Sequence, residues 1–137
     1  MLEGGRCIGE FSITWNPPLR MWLMLYNCQG AIMARVAPAP WGPWSLPTAI
    51  LGPNDKLGCQ LLMIPEGCGK RRDFWPTKHV NGQFVRGGTY GPYVLNRYTT
   101  AANSEGPGRS STIYWVVSTW NPYEVSVMRT TLHAEPR

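Results

Sequence analysis

The chain has 137 residues and a net charge of +5, with 43% hydrophobic and only 15% charged residues. That length fits one modest domain with a real core, and fifteen Gly and thirteen Pro leave little room for long helices. No stretch approaches the ~20 apolar residues of a membrane-spanning helix, and Met1-Leu2-Glu3-Gly4-Gly5-Arg6 is not a signal peptide.

With seven Trp and six Tyr, the composition reads all-β. Taken in order, residues 7–15 and 20–27 are strand-like runs joined by the turn signal Asn16-Pro17-Pro18-Leu19. Residues 31–37 make a third run. Pro38, Pro40 and Pro43 break the chain, and a short fourth run covers 48–51. Residues 57–64 have strand character. From Pro65 to Gly88 the chain is basic and Gly-rich without a clean period, so residues 65–89 read as a long loop, of the kind that often carries function. Its densest charges, Lys70-Arg71-Arg72 with Lys78 and Arg86, read as a solvated loop rather than a phosphate-binding patch. Strands resume over 90–100, 112–119 and 124–132, separated by a polar Gly-rich loop at 100–110 and the tight turn Trp120-Asn121-Pro122-Tyr123. No segment holds a helical period.

Several strands are apolar on both faces. Met21, Leu23 and Leu25 alternate with Trp22, Met24 and Tyr26, and Ile113, Trp115 and Val117 alternate with Tyr114 and Val116. A sandwich sheet usually keeps one wet face, whereas a sheet covered on both sides fits a propeller blade between neighbours. The order of elements predicts about two antiparallel four-stranded blades, residues 7–51 and 90–132, on either side of the long loop.

Of the eight acidic residues, Glu10 stands apart, because it lies inside the apolar run Cys7-Ile8-Gly9-Glu10-Phe11-Ser12-Ile13. A carboxylate there is paired, solvated or perturbed. It is either an edge-strand Glu facing water or a site carboxylate, and Gly9 beside it permits close approach. His79 and His133 have no spaced Cys or carboxylate partners, so neither a metal nor a cofactor is expected. There is no nucleophile elbow, phosphate loop or dinucleotide fingerprint. The aromatic clusters Trp41 with Trp44, Tyr90 with Tyr93, and Trp120 with Tyr123 fit either blade core or platforms for sugar rings. If the first turn is centred between Pro17 and Pro18, opposed residue numbers sum to 35. Cys7 then faces Cys28 as Trp15 faces Arg20, close enough for a disulfide. Two buried free thiols are the alternative, and Cys59 with Cys68 offers a second pairing.

Three segments together carry a family resemblance: Arg35-Val36-Ala37-Pro38-Ala39-Pro40-Trp41-Gly42-Pro43-Trp44-Ser45, Tyr90-Gly91-Pro92-Tyr93, and Ser118-Thr119-Trp120-Asn121-Pro122-Tyr123 followed by Val127-Met128-Arg129-Thr130. Gly9-Glu10-Phe11-Ser12 and Leu25-Tyr26-Asn27 fit the same pattern. Their order and spacing resemble the C-terminal half of a fungal and actinobacterial family first described only as a domain of unknown function. That family is associated with endo-acting hydrolysis of D-arabinan and is similar to five-bladed propeller glycosidases. The resemblance spans residues 7–64 and 86–132. Relatives carry a His near the end of the strand at 60–64, where this chain reads Gln60-Leu61-Leu62-Met63-Ile64.

The resemblance implies two blades of a five-bladed wheel, a secreted glycoside hydrolase acting on a furanose polysaccharide, and further blades N-terminal to residue 1, with any export signal upstream. Glycoside hydrolysis needs two carboxyl groups flanking the bond. Glu10, on the expected innermost strand, is the candidate acid. Tyr90 and Tyr93 are candidates to line the same cavity, and Arg35 and Asn96 to bind substrate. Two rival readings stand beside this one: a non-catalytic carbohydrate-binding propeller, and a basic β domain that stacks single-stranded nucleic acid. The second rival is disfavoured because the basic run is not interleaved with aromatics, so neither nucleic acid nor membrane is an expected partner.

Overall fold

The computed structural model describes residues 7–28, 31–52, 77–80, 83–86, 88–102, 108–120 and 123–134. Strands β1 (Phe11–Asn16) and β2 (Met21–Cys28) form an antiparallel hairpin. Two consecutive prolines cannot donate to a ladder and fix their own φ. The turn between the strands takes four residues, with the Arg20 N–H donating to the Pro17 carbonyl at 3.2 Å and Arg20 held at φ 52°. Asn16 Oδ1 accepts from the Leu19 N–H at 3.0 Å and closes the turn from its other side. The longer turn corrects the expected register: Asn16 opposes Met21 and Trp15 opposes Trp22, not Arg20. The two indoles meet edge to face at 5.8 Å.

The first strand also begins later than expected, at Phe11. Ahead of it the Gly9 N–H donates to the Asn27 carbonyl at 3.0 Å, and the Asn27 N–H donates to the Glu10 carbonyl at 3.1 Å. Two residues thus oppose one, which is a β-bulge. The bulge takes up one residue of the register error, and Cys7 and Cys28 form a disulfide with Cα atoms 5.0 Å apart. The expected pairing is present, reached by a longer turn and a bulge rather than by direct opposition.

β3 (Ala31–Ala37) pairs with β2, and β4 (Thr48–Leu51) pairs with β3, completing a sheet in the order β1-β2-β3-β4. β5 (Thr77–Val80) and β6 (Gln83–Arg86) form a two-stranded hairpin inside the stretch expected to be loop. Asn81-Gly82 lies between them in sequence, and Asn-Gly is the strongest short hairpin signal. The strand expected over 57–64 and the pairing of Cys59 with Cys68 lie outside the described residues.

The second sheet contains β7 (Gly88–Val94), β8 (Thr100–Ala101), β9 (Arg109–Trp120) and β10 (Glu124–Ala134). β10 flanks one side of β9, while β7 and β8 lie in line along the other. The single strand expected over 90–100 is therefore divided, with a short 3₁₀ helix at Asn96–Tyr98 between the two pieces. β7 itself is bulged between Tyr90 and Tyr93, where Gly91 takes φ +60°, a conformation costly for any side chain with a Cβ.

The sheets pack face to face. Leu23, Leu25, Ile32, Ala34 and Leu51 of the first meet Val94, Ile113, Trp115 and Val117 of the second in one buried cluster. β7 lies against β1, β2 and β3. Thr89 and Pro92, both buried, present small side chains on that strand. At one end a polar clasp joins the sheets: buried Asn16 donates from Nδ2 to Ser111 Oγ at 2.9 Å, and Arg109 donates to the Leu19 carbonyl at 3.3 Å. β2 is buried on both faces through its middle, since Met24 and Tyr26 are as enclosed as Leu23 and Leu25. The fold is all-β, two antiparallel four-stranded sheets stacked as neighbouring propeller blades.

Candidate functional site

The edge strands β1 and β7 lie side by side. The clasp from Asn16 to Ser111 ties one end of β1 to the part of β9 that pairs with β8. Counting away from that clasp, Glu10 lies six residues back from Asn16, just ahead of β1, and Ser118, the partner of Tyr90, lies seven residues up β9. At ~3.3 Å per residue both climbs are about 20 Å. Glu10 and the bulged part of β7 therefore share the end of the molecule opposite the clasp.

At that end Glu10 is exposed in a bend immediately before β1. It is not embedded in an apolar strand: of the readings open to the sequence, the side chain is solvated, while its carbonyl is tied to Asn27. Tyr90 is half-buried and Tyr93 is 60% exposed. Tyr93 opposes Val116, so it projects from the face turned away from the core. Glu124, which opposes Thr119, opens β10 at the same end. Glu10 and Glu124 are the two carboxylate side chains among the described residues.

Arg35 and Asn96 are not brought to this end. Arg35 is buried on β3; its Nε donates to Tyr26 Oη at 3.1 Å and its guanidinium to the Ser45 carbonyl at 3.3 Å, with the cation 5.8 Å from the Tyr26 ring. Ser45 Oγ in turn accepts from the Val36 N–H at 3.1 Å, and the Ser45 N–H donates to the Val36 carbonyl at 2.8 Å. These bonds hold the Trp-Gly-Pro-Trp-Ser segment onto β3, so Arg35 serves the architecture of the sheet. Asn96 is exposed at the start of the 3₁₀ helix, beyond the end of β7.

The aromatics divide between the two roles that composition leaves open. Trp115 is core, with its Nε1–H donating to Thr130 Oγ1 at 3.0 Å. Trp41, Tyr98 and Tyr123 are exposed, and Tyr98 is stacked with Arg97 at 4.9 Å and edge-on to Tyr114 at 6.4 Å. Phe11, Ile13 and Trp15 form an exposed row on the outer face of β1.

Among the described residues, no group of three or more His, Cys, Asp or Glu is placed to hold a metal ion. No helix among them is long and apolar enough to cross a membrane. No curated protein matches the chain. A family model matches residues 2–129, nearly the whole length, and the chain belongs to the family described as Domain of unknown function (DUF4185).

Proposed function

We propose that this chain is part of a secreted five-bladed propeller glycoside hydrolase acting on a D-arabinan-like furanose polysaccharide. The observation that carries the reading is Glu10: a solvent-facing carboxyl group at the head of an edge strand, at the same end as the exposed ring of Tyr93. In this reading Glu10 is the acid that protonates the leaving glycosidic oxygen. A second carboxylate, contributed by blades outside this chain, acts on the opposite side of the sugar. Tyr90 and Tyr93 offer ring faces to the apolar side of a furanose. The Cys7–Cys28 disulfide supports an oxidising, extracellular setting.

The test is to incubate the full-length protein with D-arabinan, L-arabinan and xylan and to follow product length. Endo-cleavage of D-arabinan into short oligosaccharides is expected. Binding of D-arabinan without cleavage would move the assignment to a non-catalytic carbohydrate-binding propeller. Neither binding nor cleavage would remove carbohydrate from the account.

A further inference from the structure

We infer that the Cys7–Cys28 disulfide and Asn27 form a clamp that positions Glu10, which makes the site sensitive to thiol reduction. The inference rests on the reading of Glu10 as a site carboxylate. Glu10 lies outside the ladder of β1 and β2, and its side chain is exposed, so burial does not fix its place. Two features do. The backbone of Asn27 is bonded on both sides, to the Gly9 N–H and to the Glu10 carbonyl. The disulfide then ties Cys7, three residues before Glu10, to Cys28, the residue after Asn27. The side chain of Asn27 also folds over Gly9 so closely that a Cβ built there would collide with it, lying 2.7 Å from Asn27 Cγ. A larger residue at position 9 would have to push the Asn27 side chain aside.

Reduction by a dithiol breaks one S–S bond. Two electrons and two protons convert Cys7 and Cys28 to thiols while the reductant becomes a disulfide. Among the described residues, two backbone hydrogen bonds at an edge then hold residues 7–10 to β2. The buried cluster of Leu23, Leu25, Ile32 and Trp115 is elsewhere and is untouched. Glu10 thus loses its fixed position while the sheets persist, and a misplaced catalytic group loses rate rather than substrate affinity.

Two readouts test this on the full-length protein, with and without dithiothreitol. The first is amide hydrogen exchange. The Gly9 and Asn27 amides are expected to exchange at least tenfold faster after reduction, while amides of the β2–β3 ladder stay protected. The second is kinetics on D-arabinan, where kcat is expected to fall at least tenfold with KM within twofold, in reduced protein and in Cys7→Ser/Cys28→Ser alike. Should the double variant fail to fold, reduction of the already folded protein supplies the same comparison. Unchanged exchange at Gly9 and Asn27 overturns the clamp. So does an unchanged kcat in reduced protein when Glu10→Gln is inactive. Near-normal turnover by Glu10→Gln overturns instead the reading on which the clamp rests.

Discussion

Asn16 shows how much one polar side chain can decide. It is buried, accepts from the Leu19 N–H and donates to Ser111 across the sheet interface. Asn16→Ala leaves those partners without a mate in a closed site, and a loss of about 1–3 kcal/mol is expected from denaturant unfolding. A double-mutant cycle with Ser111→Ala should show coupling, because the two share one bond. The opposite sign is expected at Thr99. Its Oγ1 is shielded from solvent with no hydrogen-bond partner among the described residues, so Thr99→Val should leave stability unchanged or raise it by up to about 1 kcal/mol. A loss of more than 1 kcal/mol would mean that the hydroxyl is satisfied. Glu10 could be singled out from sequence because it is an acid among apolar residues. Sequence left open whether it faces water at an edge or serves a site, because its surroundings depend on where β1 begins, and β1 begins after a bulge that the Asn27 contacts define.

At the scale of the element, the alternation of Leu23 and Leu25 with Met24 and Tyr26 correctly marked β2 as a strand covered on both sides. The end of β3 and the start of β4 were legible as well, since the prolines from Pro38 to Pro47 separate them. The first hairpin was not, because the length of a Pro-Pro turn is set by the αL conformation of Arg20 and by Asn16 capping Leu19, neither of which has a fixed sequence signature. β7 and β8 read as one strand because nothing in Asn96-Arg97-Tyr98 is a strong breaker. Trp115→Ala removes the largest fully buried side chain of β9 and should cost about 3–5 kcal/mol by denaturant titration. Removing the Cys7–Cys28 bridge, with its sequence separation of 21, frees the unfolded chain and should cost about 3 kcal/mol. A penalty below 1 kcal/mol would mean that residues 7–10 contribute little to the cooperative unit.

The two stacked sheets of the described residues each turn one face outward, and both faces carry apolar side chains. Phe11 is 58% exposed beside Ile13 and Trp15 on one, and Val125 at 69% and Val127 at 64% lie on the other. Blades of a wheel bury such faces against their neighbours, and bare ones promote association. This chain expressed alone should therefore associate or aggregate with concentration in sedimentation velocity, and Val125→Glu with Val127→Lys should reduce the effect. A cooperatively melting, monodisperse monomer at high concentration would contradict the reading of these faces as contact surfaces. The functional account depends on one carboxyl group, and the most direct measurement is the turnover of D-arabinan by the full-length protein and its Glu10→Gln variant. A drop of roughly 10²–10⁴-fold in kcat, the range of general acid catalysis, is expected, with melting temperature and polysaccharide binding unchanged. Turnover within a few-fold of the parent protein would contradict it.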